Sequence, residues 1–322
     1  MTLALWHVAP GRAELRAVDL PAPGPDENLV RAIASGLSRG TERLVHFGRV
    51  PPEAATQMRG PMQEGDFPFP VKYGYCLVGE VEAGPQAGQR VFCLHPHQSR
   101  LVSPATLCTP LPDGLPETRA VLGANMETAL NALWDAAPLP GERAMVIGAG
   151  VVGLLIASLL ARIPGMEVTV VDRDPARAAL ARALGAGFAE PDAAPDGQEL
   201  IFHASASEAG LRLALNRAAF EARIIEASWF GAAMPALPLG ADFHHKRLRL
   251  VSTQVGHVSP AMRGRRTYGE RMALALRLLR DDARLDALAG PTISFAELPA
   301  RITALLEPPQ GAPQPLCPVV LY

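Results

Sequence analysis

The sequence predicts an α/β protein of two domains, one rich in short strands and one built as a doubly wound parallel sheet. Three observations lead there. Its 322 residues exceed what one ordinary core organises. Residues 1 to about 120 read as strand-sized runs cut by Pro and Gly. Beyond residue 143, apolar β-branched runs alternate with helical stretches, the pattern of βαβ units closing into a parallel sheet. Composition is globular, 48% hydrophobic and 19% charged, and a net charge of −2 excludes a general attraction to nucleic acid or anionic membrane. The opening MTLALWHVAPGRAELR lacks the basic leader and sustained apolar core of a secretory signal. Cysteines 76, 93, 108 and 317 form neither a C-x-x-C pair nor a disulfide framework, so a reducing cytoplasm is expected.

In chain order, strands are expected at LALWHV, AELRAVDL, NLVRAIASG, VGEVEAG and QRVFCL. Residues 48–71 are irregular and proline-rich and read as a surface loop. Leu122 to Trp134 carries a helical pattern, and Pro138-Leu139-Pro140-Gly141 punctuates it. After residue 172, helices are expected over 175–184, 208–219, 268–280 and 298–306. Strands are expected around 200–203, 223–227, 249–253 and 318–321. The last strand needs a partner, and the N-terminal β-rich segment is the natural one.

The stretch Met145 to Asp172 is the most informative. An apolar run ends at Ile147, Gly148, Gly150 and Gly153 succeed it in G-x-G-x-x-G spacing, and a second β-branched run closes on Asp172, 19 residues past Gly153. The first glycine allows a tight strand-to-helix turn, the second lets backbone approach a pyrophosphate, and the third lets helix and strand pack closely. The helix opening at Val152 aims unpaired N–H groups and its positive end at phosphate. Asp172 stands where an acid accepts hydrogen bonds from an adenosine ribose diol, which favours NAD over NADP, although Arg173 beside it weakens the preference. Ala144 to Ala161 is 18 residues without a formal charge, long enough to suggest a membrane span, but three early glycines fit a buried βαβ unit better. A nucleotide-binding methyltransferase is the other alternative, and the strand–glycines–helix–strand–Asp order favours a dinucleotide.

On the segments GLSRGTE (36–42), FPVKYGYCLVGEV (69–81), ETAL (127–130) and VIGAGVVG (146–153), the chain resembles the medium-chain dehydrogenase/reductase superfamily of alcohol dehydrogenase and quinone oxidoreductase. The resemblance implies a GroES-like β-rich catalytic domain (1–127), a Rossmann NAD-binding domain (128–258), and a return to the catalytic domain (259–322), with the cleft at their junction. It implies an NAD(P)-dependent oxidoreductase, often a homodimer joined through the Rossmann sheet edge. The zinc-binding pattern of that superfamily is broken. Ser38 replaces a cysteine, Gly74-Tyr75-Cys76 replaces Gly-His-Glu, Ala124 or Asn125 falls at the third ligand position, and the four-cysteine lobe is missing. Neither Ala124 nor Asn125 suits zinc, which wants thiolate, imidazole or carboxylate, so no catalytic zinc of the familiar kind is expected. A locally similar segment, Ser38 to Leu44, occurs in zinc-less dehydrogenases that oxidise a hydroxyethyl group on bacteriochlorophyllide.

Without zinc, the resemblance puts Tyr75 in the cleft as a hydrogen-bond and proton donor, and Ser38, at another of the lost ligand positions, is also a catalytic candidate. His95 and His97 are further candidate acids, since imidazole titrates near neutrality. With Cys93 they alternate, which in a strand would turn all three side chains to one face, where Cys76 could join them in a different metal site; the alternative is a polar rim with buried cysteines. Glu42 and Glu127 sit in motif segments and are expected to be paired, with Arg39 or Arg43 as candidate partners, holding the site's shape. By position, Arg39 matches a residue that touches the cofactor pyrophosphate, and Thr128 one lying against the nicotinamide. Arg263, Arg265 and Arg266 could meet an anionic substrate, while the arginines of the next helix are expected in solvent. The expected activity is zinc-independent hydride transfer between NAD(H) and a small alcohol/carbonyl pair. The alternatives are an NADPH-dependent enoyl or quinone reductase and a non-catalytic dinucleotide-binding protein.

Overall fold

The computed structural model describes residues 1–322, in two units: Met1–Ala124 with Gly269–Tyr322, and Asn125–Tyr268. The first unit carries two sheets. In the smaller, strands run in the order Arg12–Val18, Thr2–Ala9, Val71–Lys72, Glu64–Gly65. Its leading hairpin turns at Gly11, whose φ of +69° suits glycine and few other residues. The larger sheet has seven strands, six of them in the order Ala289–Ser294, Cys317–Leu321, Glu27–Gly36, Leu77–Ala83, Arg90–Cys93, Cys108–Pro110. Arg100–Pro104 also pairs with Glu27–Gly36.

The closing strand finds its expected partner, since Val319, Val320 and Leu321 face Gly36, Ser35 and Ala34 antiparallel. Leu298, Ile302, Leu305 and Leu306 form the buried stripe of the Leu298–Leu306 helix, packed with Leu5, Leu37 and Val320. Each such side chain contributes about 1.5–3 kcal/mol on burial. This helix and the final strand are thereby cemented to the N-terminal half.

The second unit is a six-stranded, wholly parallel sheet. Its order is Gly187–Ala189, Glu167–Val171, Arg143–Ile147, Gln198–His203, Ala218–Glu226, Arg249–Ser252. The chain runs outward from Arg143–Ile147 in one direction, then returns to start outward in the other at Gln198–His203. In open parallel sheets ligands bind beyond the carboxyl ends of the strands at such a reversal. The uncharged stretch 144–161 divides into the end of strand Arg143–Ile147 and helix Val151–Leu160, both buried. No helix is long and apolar enough to cross a membrane.

Several expectations are corrected. Arg39–His46 is a helix that periodicity did not mark, and Arg100–Pro104, Cys108–Pro110 and Ala289–Ser294 are strands too short or polar to stand out. Residues 259–268 group with the second unit, where the Ser259 N–H donates to Asn131 Oδ1 and the Tyr268 hydroxyl to the Gly256 carbonyl. Arg271, expected in solvent, is 2% exposed on the inner face of helix Tyr268–Arg280, whereas Arg277 and Arg280 are exposed.

Candidate functional site

In the second unit, the glycine turn has the shape its spacing foretells. A Cβ on Gly153 would lie 1.9 Å from the Gly148 carbonyl oxygen, so helix and turn meet at a distance only glycine permits. Gly148 has φ +109° and lies against the Ala204–Ser205 backbone. Above Gly150 a Cβ would meet nothing within 4 Å, which leaves the space a pyrophosphate needs. Gly150 is the N-cap of helix Val151–Leu160 and no side chain caps it, so the first N–H groups, Val152 among them, are left for a ligand. Asp172 ends the neighbouring strand and folds its carboxylate over the turn. One oxygen accepts from the Ala149 N–H at 2.7 Å and the other from the Asp174 N–H at 2.9 Å. An ionised carboxylate has about four acceptor positions, so two remain for a ribose diol. The cradle therefore fits an adenine dinucleotide. Arg173 is exposed beside it, and Thr128 is half-buried in helix Gly123–Ala136.

Sequence reasoning missed a network at the carboxyl ends of the same sheet. His203 is fully buried; its Nδ1 lies 2.7 Å from Glu226 Oε2, and its Nε2 lies 2.7 Å from Ser205 Oγ. Ser207, which accepts the Gly210 N–H, lies 2.8 Å from Ser205. A half-buried hydroxyl is thus held beside the Gly148 turn. Its signal was a histidine and two serines at a strand end, residues with no periodicity to betray them.

In the first unit, the loop after Gly36 and the Tyr75 segment bring a hydroxyl cluster together. The Tyr75 phenol donates to Ser38 Oγ at 2.7 Å. Burial, and then Tyr73, Cys76 and Glu42 close by, push the Tyr75 phenol well above its ordinary range, so it stays a protonated donor. Ser38 occupies the N-cap position of helix Arg39–His46 without a side-chain capping bond, and its N–H donates to Glu42 Oε1 at 2.7 Å. The other Glu42 oxygen lies 2.9 Å from His97 Nε2, and His97 Nδ1 lies 2.7 Å from Ser35 Oγ, itself 3.0 Å from the Tyr322 hydroxyl. Glu42 and His97 are 0% and 1% exposed, so removing either partner would strand a buried polar group at about 3–5 kcal/mol.

Here too the structure redistributes the expected roles. Glu42 pairs with His97, not with Arg39 or Arg43. Arg39 donates to the carbonyls of Leu305, Leu306 and Pro315 and to Gln314 Oε1, capping the end of helix Leu298–Leu306. Cys93, His95 and His97 do not share a face, because the strand ends at Cys93 and Pro96 bends the chain beyond it. Cys93 faces Cys108, and His95 Nδ1 turns 2.9 Å to the Pro96 carbonyl. Ser38 and His97 join Tyr75 around Glu42, whereas His95 is spent on backbone. Glu127 is buried in helix Gly123–Ala136. No three His, Cys, Asp or Glu side chains converge to hold a metal ion. The Ser38–Tyr75 pair offers hydroxyls already bonded to each other where zinc wants thiolate or imidazole. The donor set does not fit zinc.

A second buried histidine pair braces this unit. The Nδ1 atoms of His7 and His46 lie 3.0 Å apart, and His46 Nε2 lies 2.9 Å from Thr303 Oγ1, which donates to the Gly11 carbonyl. Burial lowers His7 to about 3, His46 to about 4 and His95 to about 3. Unfolded imidazoles titrate near 6.5, so between there and these folded values the unfolded chain binds the extra protons. Stability should be full above about pH 6.5 and fall with acid, approaching about 1.4 kcal/mol per pH unit for each histidine. Urea unfolding at a series of pH values from 7.5 to 4.5 checks this, and His7→Gln should flatten the slope. A stability unchanged across that range would refute it.

Comparison with known proteins bears on the fold. No protein-family profile matches the chain. Over 183 residues it is 30% identical to the 2-desacetyl-2-hydroxyethyl bacteriochlorophyllide A dehydrogenase of Cereibacter sphaeroides, covering 49% of this chain and 52% of that protein. The chain thus spans about half the length of that curated relative. Among solved structures, a protein described as a zinc-binding dehydrogenase from Sinorhizobium meliloti 1021, bound to NADP, matches with TM-score 0.78 at 17% identity, over 100% of this chain and 99% of that one. The rspB alcohol dehydrogenase from E. coli CFT073, complexed with NADH, matches with TM-score 0.77 at 16% identity, again over 100% and 99%. The 2R,3R-butanediol dehydrogenase from Bacillus subtilis matches with TM-score 0.77 at 16% identity, over 100% of both chains. Such identities speak for fold alone, and the fold shared with these dehydrogenases has a β-rich unit assembled from both ends of the chain and a Rossmann-like unit from the residues between those ends.

Proposed function

We propose that this protein is an NAD(H)-dependent oxidoreductase that interconverts an alcohol and its carbonyl without zinc. The observation that carries the reading is the glycine turn with the Asp172 carboxylate folded over it and open space above Gly150. The bound nicotinamide would supply or accept the hydride. The chain's own residues do the rest. The glycine turn and the uncapped helix hold the phosphates, Asp172 takes the ribose diol, and Tyr75 turns the hydrogen bond it gives Ser38 in the free protein toward the substrate oxygen. Ser38 orients that phenol, and Glu42, gripped by the Ser38 N–H and His97, keeps Ser38 in place. A secondary alcohol is the favoured substrate class, supported by the partial likeness to a hydroxyethyl-oxidising dehydrogenase and by the segment Ser38 to Leu44. The exposed Arg263, Arg265 and Arg266 suit an anionic substrate.

Titrating the protein with NADH and with NADPH, then assaying 1-hydroxyethyl arenes, a hydroxyethyl chlorin, enones and quinones, tests the reading. NADH should bind more tightly, and only alcohol/carbonyl pairs should turn over. Turnover of enones with NADPH alone would point to a double-bond reductase, and tight binding with no turnover to a non-catalytic protein. Asp172→Ala should weaken NADH by about ten- to a hundredfold, the loss of one or two charge-assisted hydrogen bonds. NADPH should be weakened less. An unchanged NADH/NADPH ratio would remove Asp172 from cofactor selection.

We also propose a homodimer joined at strand Arg249–Ser252. This strand is the sheet's edge, and Leu250 and Val251 are 38% and 37% exposed on it. An exposed apolar edge is a template for another strand. Val251→Lys should shift the sedimentation coefficient from dimer to monomer, and a wild-type monomer would end the proposal. The reducing cytoplasm is the compartment that suits four buried free thiols.

A further inference from the structure

We propose that Cys93 and Cys108 are a modification site, a thiol pair that hydrogen peroxide converts reversibly into a disulfide. Neither residue takes part in the dinucleotide cradle or the hydroxyl cluster. The two are register partners on neighbouring antiparallel strands, Arg90–Cys93 and Cys108–Pro110. On either side, the Leu94 N–H bonds the Leu107 carbonyl and the Leu111 N–H bonds the Arg90 carbonyl. Antiparallel pairs alternate between bonded and non-bonded, so Cys93 and Cys108 occupy a non-hydrogen-bonded position, where Cα atoms stand about 4.5 Å apart. That separation lies within the range disulfides span, about 4.4–6.8 Å. The sulfurs already face each other at 3.3 Å, the Cys93 thiol donating to Cys108.

The surroundings also divide the roles. The Ser103 hydroxyl is fully buried with no hydrogen-bond partner. The Cys93 thiol, then Asn28 and Ser103, hold Cys108 down to about 7 against the effect of burial, while the same contact and burial push Cys93 well up. Cys108, which accepts the Cys93 thiol hydrogen and lies on the edge strand, is assigned as the nucleophile, and Cys93 as the resolving thiol. Access is through the sheet edge. Cys108–Pro110 is a three-residue edge strand, an element that opens at low cost, and peroxide is barely larger than water.

The Cys108 thiolate attacks one peroxide oxygen, the O–O bond breaks, and hydroxide leaves and is protonated to water. The sulfenic acid on Cys108 is then attacked by the Cys93 sulfur. The S–O bond breaks, and the departing hydroxide takes the Cys93 thiol proton as a second water. Two thiols lose two electrons and one peroxide gains them.

The test is peroxide treatment of the purified full chain, alkylation in denaturant, and non-reducing peptide mapping. A dithiothreitol-reversible Cys93–Cys108 peptide is expected, with Cys76 and Cys317 alkylated. Cys93→Ser should leave a sulfenic acid on Cys108 that dimedone traps, whereas Cys108→Ser should leave Cys93 unlabelled. The proposal is overturned if both thiols stay alkylatable in peroxide, if the bond maps to another pair, or if dimedone labels Cys93 in preference to Cys108. These readouts need no cofactor or substrate, so they stand or fall apart from the proposed dehydrogenase activity.

Discussion

Replacing Tyr75 by phenylalanine is expected to lower kcat by about 10²–10⁴-fold, the usual contribution of a positioned general acid, with NADH affinity unchanged. Phenylalanine keeps the ring and its edge contact with Tyr73, 5.9 Å between centroids, and deletes only the oxygen that reaches Ser38. Burial pushes the phenol well above its ordinary range, so near neutrality it is a hydrogen-bond donor. The wild-type profile should therefore show no limb from Tyr75 ionisation below about pH 9. Ser38→Ala should cost less, because it frees the phenol without removing it. Stopped-flow single turnovers with a deuterated alcohol would separate the chemical step from product release. A Tyr75→Phe enzyme within about threefold of wild type would assign the proton to another group.

The second large effect is expected at Gly153. An alanine there would drive its Cβ to 1.9 Å from the Gly148 carbonyl oxygen, a backbone atom that cannot swing aside. The turn must open, at about 1–3 kcal/mol of stability for the forced backbone shift. NADH affinity should fall by about a hundredfold or more as the cradle loses its shape, each factor of ten being about 1.4 kcal/mol. Gly150→Ala is the discriminating control. Its Cβ meets no protein atom within 4 Å, so stability should stay within about 0.5 kcal/mol of wild type while dinucleotide binding drops. Fluorescence titration with NADH and urea unfolding of both variants give the two numbers. Wild-type NADH affinity in Gly150→Ala would mean that no phosphate passes over that residue.

What the sequence by itself determined is what repeats or what sterics permit only one residue to do. The β-branched runs before Gly148 and before Asp172, and the glycines between them, dictate strand, turn, helix and strand because each choice is local. Gly153 must be glycine for a reason visible in its spacing, and Asp172 lies where the second strand of such a unit ends. The final strand was legible too, since an apolar run at a chain end must pair somewhere, and Val319–Leu321 found the strand beginning at Glu27.

Only the tertiary structure decided the polar partners. Glu42 and His97 are 55 residues apart and Ser35 and Tyr322 are 287 apart, and no periodicity links such positions. Proximity in sequence suggested Arg39 or Arg43 for Glu42, yet the sheet brought His97 there and sent Arg39 to the carbonyls near residue 305. Strand alternation grouped Cys93 with His95, whereas register across two strands gave it Cys108. A hydrogen bond is directional and short, so its partner is chosen by where the packed backbone sets each side chain. That choice is made only once the apolar core has closed.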